Sequence, residues 1–250
     1  MSAAPRLTGR VGVVTGAGRG IGRETALALA ADGMHLCLLA RTGSQVRALA
    51  DEITASHGLP VLPFAVDVRD PAAVDRVVAH VEQQLGPVDL LVNAAAVVES
   101  TQQRFWEVPE AESWAVVESN LRGPLALCRA LLPQMVARHH GHVVNVASTA
   151  RAAAATGTYT AYAVSKRALT LFTETLAVPL AGTGVVVVDV LPGLVRTALT
   201  ASMPVWDDVP EERWTPAAAT AQVVADVAAG RYDDRSGALL DAAALWSPPA

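Results

Sequence analysis

The side chains of Tyr162 and Lys166 lie four positions apart in a segment whose apolar residues repeat at helical spacing. Residues four apart share one face of a helix, so we expect the phenol and the ammonium to point into the same space. A free phenol has a pKa of about 10, and a nearby cation lowers that pKa by favouring the phenolate. The pair therefore predicts proton transfer by Tyr162, although the same spacing also occurs on solvated helix faces. Tyr159 is a poorer candidate because the residue four positions on is Ala163.

A glycine-rich turn, TGAGRGIG at positions 15–22, follows the first apolar run and precedes a helical segment. Glycines permit a tight turn and let the backbone approach a diphosphate, whose charge is stabilised by the N-terminus of the following helix. The spacing departs from the standard G-x-G-x-x-G of dinucleotide-binding folds, since Ile21 and Arg23 occupy two of the relevant positions. Its place between a strand and a helix still predicts a dinucleotide site. The residues expected to line it are Gly16, Arg19, Gly20, Ile21 and Gly22.

The end of the second predicted strand indicates which dinucleotide is bound. NAD-binding folds place a carboxylate there to hold the ribose 2′-hydroxyl. This chain has Arg41 instead, and a guanidinium forms a charge-assisted pair with a 2′-phosphate. Arg19 is expected to approach the same phosphate from the glycine turn. The two arginines favour NADP(H), and the alternative is that both are solvated surface charges.

Composition excludes several classes of protein and of site. The net charge of −5 argues against a nucleic-acid surface, which needs clustered basic residues. No apolar stretch is long enough to span a membrane, and the first ten residues do not resemble a secretion signal, so a soluble cytoplasmic protein is predicted. Cys37 and Cys128 lie in separate apolar runs and are expected to be buried, reduced thiols. His139, His140 and His142 surround a glycine and predict a polar turn, and no metal site is expected.

These chemical groups must be positioned by an alternating series of strands and helices. Short apolar strands alternating with helices indicate βαβ units, a parallel sheet and right-handed crossovers. The fold class is therefore α/β: one Rossmann-type, doubly wound parallel sheet of about seven strands over residues 1–250, with helices on both faces. Residues 199–215 form a connection long enough to suggest a substrate-binding loop or lid. Strands are predicted at 11–15, 35–40, 60–66, 88–93, 142–147, 185–190 and 238–241, and helices at 21–31, 46–56, 72–85, 114–138 and 161–181.

In the order and spacing of its motifs, nearly the whole chain resembles a classical short-chain dehydrogenase/reductase. The glycine turn is similar to the T-G-x-x-x-G-x-G of that family, and Tyr162 to Lys166 is similar to its Y-x-x-x-K. The remaining matches, in chain order, are Asp67-Val68, Asn93 to Ala96, Ser119-Asn120-Leu121, Asn145 to Ser148 and Pro192 to Thr197.

The resemblance implies a reaction and a role for each matched residue. The expected reaction is hydride transfer between NADP(H) and a ketone or secondary alcohol. Tyr162 would supply the proton, Ser148 would orient the carbonyl, Lys166 would hold the nicotinamide ribose and lower the phenol pKa, and Asn120 would position a water beside Lys166. The other cofactor contacts implied are Asp67, Val68, Asn93, Pro192, Val195 and Thr197.

Some positions depart from the pattern of the family. Ala94 and Ala96 replace the usual Asn and Gly after Asn93, and Val186 and Val188 replace a frequent Arg and Asn. The separation of Ser148 and Tyr162 is one residue longer than is common, which predicts a bulged loop at 149–160. Pro179 should kink or end its helix.

The substrate and the partners are less closely defined. Small residues after Ser148 (Ala150 and Ala152 to Ala155) and large ones in the long connection (Met203, Trp206 and Trp214) would form a cleft for an apolar or aromatic carbonyl compound. Alternatively, the tryptophans pack against a second subunit, since the long helices resemble those through which the family forms homodimers or homotetramers.

Three rival functions remain to be weighed. The first is a non-catalytic NADP-binding scaffold or regulator, which predicts an incomplete Ser–Tyr–Lys set. A serine hydrolase would need a nucleophile elbow around Ser148, and the sequence there lacks one. A dehydratase or epimerase with bound NAD conflicts with Arg41.

Overall fold

A computed structural model describes residues 6–247. The residues at the two ends of the predicted 1–250 domain, 1–5 and 248–250, lie outside the described part, as do the side chains of Arg151 and Ala154. Within residues 6–247, no helix is both long and apolar enough to cross a membrane.

Seven parallel strands form the sheet, which confirms the predicted fold class. Their order is β3-β2-β1-β4-β5-β6-β7, so the direction in which strands are added reverses between β1 and β4. A crevice at the carboxyl ends of the strands is expected where the order reverses. The strands are β1 (Val11–Thr15), β2 (His35–Ala40), β3 (Val61–Ala65), β4 (Leu90–Asn93), β5 (Gly141–Val146), β6 (Val185–Leu191) and β7 (Leu239–Asp241).

Helices cover both faces of the sheet and bury two apolar clusters. One cluster joins the sheet to α1, α2 and α8, and the other joins it to α3, α5 and α7. Strands β1, β4 and β5 are buried along their whole length, as expected for parallel strands packed on both faces. The helices are α1 (Gly20–Ala31), α2 (Gly43–His57), α3 (Pro71–Leu85), α4 (Glu110–Val117), α5 (Gly123–Ala137), α6 (Arg151–Thr156), α7 (Thr160–Leu180), α8 (Ala217–Ala228) and α9 (Ala242–Leu245).

The prediction of one continuous helix at 114–138 is wrong. The observed helical segment begins earlier, with α4, and a π-helical turn at Glu118–Arg122 separates α4 from α5. The N–H of Gly123 donates to the Glu118 carbonyl five residues back, and Pro124 has no N–H to donate to the Asn120 carbonyl. The regular α-helical ladder is therefore interrupted beside Asn120. At the end of α7 the expectation holds, because the helix ends one residue after Pro179.

Two segments predicted as loops contain helical turns. The bulge expected at 149–160 is instead the short helix α6, flanked by Ala150 and Tyr159 with left-handed φ angles of 51° and 55°. The connection at 199–215 is built from three 3₁₀ turns, at Thr200–Ser202, Pro204–Trp206 and Glu211–Arg213. Both segments are thus compact structures with their own backbone hydrogen bonds.

Candidate active site

A cavity of about 870 Å³ opens at the carboxyl ends of the strands. The glycine turn borders it on one side and the connection at 199–215 on another. Most of the predicted site residues line it: Gly16, Arg19, Gly20, Ile21, Gly22, Arg41, Asp67, Val68, Ser148, Tyr162, Lys166, Pro192, Val195 and Thr197. Asn93 and Asn120 lie behind its wall and are almost fully buried.

The glycine turn has the geometry of a backbone cradle for an anion. Gly16 and Gly20 have left-handed φ angles of 65° and 57°. A Cβ atom on Gly16 would lie 2.8 Å from the Ala95 backbone, and one on Gly22 would lie 2.4 Å from the Gly16 carbonyl oxygen. Only glycine fits these two positions. Among the described residues, no side chain caps the N-terminus of α1, so its first N–H groups face the cavity edge.

Two exposed guanidinium groups, those of Arg19 and Arg41, border the cavity near the end of β2. Neither forms an ion pair with a residue in the described part of the chain. Asp67 is paired instead with Arg69, whose Nη2 lies 2.7 Å from Oδ2. That pairing lowers the pKa of Asp67, and the charge of Arg41 lowers it further. This corner of the cavity therefore carries uncompensated positive charge.

Ser148, Tyr162 and Lys166 come together at the centre of the cavity. The Ser148 hydroxyl lies close enough to the Tyr162 phenol to lower the pKa of that phenol, and it accepts a bond of 3.0 Å from the Ala150 N–H. The Lys166 Nζ donates to the Val146 carbonyl oxygen at 2.7 Å. Burial lowers the pKa of Lys166 to about 8, and the charge of Asp189 opposes that shift.

The phenol of Tyr162 differs from the expectation of an acidified group. Burial raises its pKa, the nearby Ser148 hydroxyl lowers it in part, and the charge of Glu99 raises it further. Desolvation is the largest of these effects at the phenol. The protein alone therefore favours the protonated phenol, which is the form that donates a proton.

The π-helical turn presents Asn120 to two neighbouring elements. The Asn120 Oδ1 accepts from the Val97 N–H at 2.8 Å, and its Nδ2 donates to the Val97 carbonyl at 2.8 Å and to the Ser165 Oγ at 3.0 Å. The Ser165 hydroxyl in turn donates to the Tyr162 carbonyl at 2.7 Å. Asn120 therefore links the segment after β4 to the helix that carries Tyr162.

A row of buried polar residues crosses four strands beneath the cavity. Thr15, Asn93, Asn145 and Asp189 are partners in the parallel register of β1, β4, β5 and β6. Asn93 donates to Asn145 at 2.8 Å, Asn145 donates to Thr173 at 2.9 Å, and Thr173 donates to Asp189 at 2.5 Å. Burial raises the pKa of Asp189. The charge of Asp189, at the end of this row, raises the pKa of Lys166 and so opposes the effect of burial.

Comparison with known proteins identifies the family. Residues 10–208 match the family of short chain dehydrogenases. The chain belongs to the short-chain dehydrogenase/reductase family.

Individual relatives agree with this assignment. A short chain dehydrogenase of Pseudocercospora fijiensis is 38% identical over 203 residues, which cover 78% of this chain but only 63% of that protein. An uncharacterized oxidoreductase of Myxococcus xanthus is 37% identical over 77% of this chain and 75% of its own. The crystal structure of L-sorbose reductase from Gluconobacter frateurii, complexed with NADPH and L-sorbose, superposes with a TM-score of 0.85 at 26% identity, covering 96% of this chain and 97% of that one.

The wall that residues 199–215 give to the cavity of this dehydrogenase/reductase combines an apolar cluster with the charged residues Asp208, Glu212 and Arg213. Met203 packs with Ala152 and Tyr159, and the partly buried Trp206 packs against the same cluster. Of the predicted wall residues, Ala150, Ala152, Met203 and Trp206 line the cavity. Trp214 points elsewhere: the Arg196 guanidinium lies 4.3 Å from its ring centre, and its Nε1 donates to the Val209 carbonyl.

The sequence interpretation missed three polar residues of this site, Glu99, Ser165 and Asp189, each of which is almost fully buried. Ser165 lies three residues after Tyr162, a spacing that could have suggested its bond to the Tyr162 carbonyl. Asp189 interrupts a run of valines in β6, which is itself a signal, because a lone carboxylate in a buried strand needs a partner. Glu99 lies in an irregular segment, and no local pattern points to it.

Proposed function

We propose that this protein is an NADP(H)-dependent oxidoreductase that interconverts a ketone and a secondary alcohol. The observation that carries the proposal is the meeting of the Ser148 hydroxyl, the Tyr162 phenol and the buried Lys166 in one cavity with the glycine turn. A donor pair beside a glycine cradle suits proton transfer to a carbonyl oxygen next to a bound dinucleotide. When bound, the nicotinamide supplies the hydride, and the protein supplies orientation and the proton.

The residues of the cavity fit a dinucleotide with a 2′-phosphate. The cradle at Gly16 and Gly22 excludes side chains where a diphosphate would approach the backbone. Arg19 and Arg41 are exposed and border the same end of the cavity, where a 2′-phosphate would be held. The NADPH in the L-sorbose reductase structure is consistent with this choice. The remaining contacts proposed for the cofactor are Gly20, Ile21, Asp67, Val68, Asn93, Tyr162, Lys166, Pro192, Val195 and Thr197.

In the direction of reduction, Tyr162 and Ser148 act on the carbonyl oxygen. The Ser148 hydroxyl donates a hydrogen bond that orients and polarises the carbonyl. The Tyr162 phenol gives its proton to the oxygen as negative charge develops there, and its raised pKa keeps that proton in place beforehand. Lys166 binds the nicotinamide ribose, and Asn120 holds the elements that carry Tyr162.

The substrate is proposed to be an apolar or aromatic carbonyl compound. Ala150 and Ala152 are small residues close to Ser148 in the chain, and Met203 and Trp206, which pack in the same cluster as Ala152, add apolar surface to the cavity. Residues 199–215 would then form the substrate-binding segment of a single catalytic domain. Desolvation of the carbonyl by this wall would strengthen its hydrogen bonds to Ser148 and Tyr162.

We also propose that the enzyme acts in the cytoplasm as a homodimer or homotetramer. Helices α5 and α7 expose large apolar side chains, among them Leu125, Val164, Leu171 and Val178. A surface of this kind is typical of a face that is buried in an assembly.

The function is tested by following the oxidation of NADPH and of NADH against a panel of ketones and aldehydes, with the reverse reaction run on the matching alcohols. We expect turnover with NADPH and its loss in Tyr162→Phe, with NADPH binding retained because the cradle is unchanged. Near-normal turnover in Tyr162→Phe would contradict the proton-donor role. If the wild type binds NADPH but reduces nothing in the panel, the non-catalytic scaffold becomes the better description.

A further inference from the structure

The helix that carries Tyr162 begins without a cap of its own. Tyr159, the residue before α7, has a left-handed φ of 55° and offers no side-chain hydrogen bond to the first turn. Instead, Glu99 reaches the helix from the segment after β4. Its carboxylate accepts from the Ala161 N–H at 2.7 Å and from the Tyr162 N–H at 3.3 Å. Glu99 therefore satisfies the second and third N–H groups of α7, which is the task of a capping side chain.

Glu99 is buried to an extent that is costly for a carboxylate. Its side chain is 1% exposed, and within the described residues it forms no ion pair with Lys, Arg or His. The compensation comes from the two backbone N–H groups and from the positive end of the helix dipole. The Tyr159 hydroxyl close by is also buried and has no hydrogen-bond partner among the described residues. One turn thus combines the strained φ and unpaired hydroxyl of Tyr159 with the buried carboxylate of Glu99. Unfavourable features that cluster in this way indicate that the position of the turn is constrained by function.

The segment that carries Glu99 is itself fixed to the site. Asn120 binds both the N–H and the carbonyl of Val97, two residues before Glu99. The same amide binds Ser165, which donates to the Tyr162 carbonyl. The backbone of Tyr162 is thus held at its N–H by Glu99 and at its carbonyl by Ser165, and both contacts lead back to Asn120.

The charge of Glu99 also acts on the phenols nearby. Among the described residues, the ionisable groups near Tyr162 include Glu99 from the segment after β4, Lys166 one turn along α7 and Tyr159 before the helix. The Glu99 charge raises the pKa of both tyrosines, while the ammonium of Lys166 is bonded to the Val146 carbonyl. Glu99 therefore acts on the phenol from a different element of the fold, and its negative charge favours the protonated form.

We propose that Glu99 is a positioning residue for carbonyl reduction, which caps the helix of Tyr162 from a distant segment and holds the phenol aimed at the substrate oxygen. The inference rests on the proposed function. Glu99 touches neither substrate nor cofactor and acts only through Tyr162.

Three substitutions separate the geometry of Glu99 from its charge. Glu99→Ala removes both the hydrogen-bond acceptor and the negative charge. We expect kcat to fall about 10- to 100-fold, since misplacement of a catalytic group by about 1 Å lowers the rate by that order. Glu99→Gln keeps an acceptor but removes the charge, so the pH above which reduction declines should move to lower pH. Glu99→Asp keeps the charge on a shorter side chain, so kcat should fall with little movement of that pH.

Glu112→Gln is the matched control. Glu112 also accepts a backbone N–H of the same segment, that of Ser100, but it is half-buried on α4 and, among the described residues, forms no hydrogen bond or ion pair with α7. We expect wild-type kcat and pH dependence in this variant. NADPH binding should be unchanged in all variants, because Glu99 and Glu112 do not line the cavity.

A readout that needs no turnover keeps the proposal distinct from the proposed function. Ultraviolet titration of phenolate, with Tyr162→Phe subtracted, reports the pKa of Tyr162 directly, and it should be lower in Glu99→Gln than in the wild type. If the wild type reduces no carbonyl compound, the proposed function fails and this titration alone decides the role of Glu99. Folded Glu99→Gln with wild-type kcat, pH dependence and phenol titration would overturn the proposal. Should Glu99→Ala not fold, the isosteric Gln variant carries the test.

Discussion

At the scale of single residues, burial shifts the pKa values of Tyr162 and Lys166 in opposite directions. Removal from water disfavours the phenolate and the ammonium alike, so the pKa of Tyr162 rises and that of Lys166 falls to about 8. The spacing of the two residues could be read from the sequence. Their desolvation could not, because it arises from β5, β6 and α7 together.

Lys166→Met should stabilise the fold at neutral pH. The pKa of Lys166 lies near 8 in the folded protein and near 10.4 in the unfolded chain, so burying the ammonium costs about 3 kcal/mol below pH 8. After the lost bond to the Val146 carbonyl is allowed for, we expect the free energy of unfolding to rise by about 2 kcal/mol at pH 7.

The stability advantage of Lys166→Met should depend on pH. Between about pH 8 and 10.4 the unfolded chain holds the extra proton, so the wild type gains stability as pH rises and the advantage of Lys166→Met disappears. Urea unfolding of both proteins at pH 7 and pH 10 measures the difference. A variant that is less stable than the wild type at pH 7 would contradict the desolvation argument.

Arg41→Asp should reverse the cofactor preference. The substitution removes one charge-assisted hydrogen bond to a 2′-phosphate and adds a repelling carboxylate, so we expect kcat/KM with NADPH to fall about 10- to 100-fold relative to NADH. Arg76→Asp makes the same change of charge on the exposed face of α3, away from the cavity, and should leave the ratio unchanged. A wild type that already prefers NADH would show that the arginines do not select the cofactor.

At the scale of elements, the π-helical turn at Glu118–Arg122 is the clearest departure from the predicted pattern. Apolar spacing predicted one continuous helix, because an extra residue in one turn barely disturbs the periodicity over 25 positions. The local signal is the pair Gly123-Pro124, which removes an N–H donor just where Asn120 must leave the regular helix. Turns of this type are frequent at functional sites.

Asn120→Ala should weaken the link between the segment after β4 and α7. Loss of the Asn120 amide leaves the Val97 N–H and carbonyl without their partner, so we expect the free energy of unfolding to fall by about 2–4 kcal/mol. Hydrogen exchange at Val97 to Glu99 should quicken. Arg122→Ala, in the same turn, removes only an exposed ion pair with Glu118 and should cost less than about 0.5 kcal/mol. Equal losses in the two variants would contradict a linking role for Asn120.

The connections at 149–160 and 199–215 show why loops are difficult to predict. Neither has an apolar repeat of its own, and each folds into short helical turns only because it packs against the other through Ala152, Tyr159 and Met203. Such contacts join residues far apart in the chain, which no local pattern records. The same reason explains why Glu99 was not found.

At the scale of the whole molecule, the sheet could be predicted because its strands are short and apolar and the central strands β1, β4 and β5 are buried on both faces. The strand order and the position of the cavity then follow from right-handed crossovers and the reversal beside β1. The interior row from Thr15 to Asp189 could not be predicted, since it depends on the register of four strands.

The exposed apolar faces of α5 and α7 predict the state of assembly. Leu171 is 62% exposed and Leu125 is 37% exposed, and a charge on each should prevent two such faces from associating. We expect the double variant Leu125→Glu, Leu171→Glu to be a folded monomer and the wild type a dimer or tetramer in sedimentation. Leu245→Glu places a charge on α9, outside these helices, and should leave the assembly intact. A monomeric wild type would remove the basis of this prediction.

The two cysteines make the molecule convenient for site-specific labelling. Cys37 and Cys128 lie inside the apolar clusters, and burial raises the pKa of both thiols, to about 12 for Cys128. Thiolate is the reactive form, so both should be inert to maleimides in the native protein. In Ser202→Cys the new, exposed cysteine would then be the reactive thiol among the described residues, and a fluorophore there would report directly on movement of the cavity wall near Tyr162.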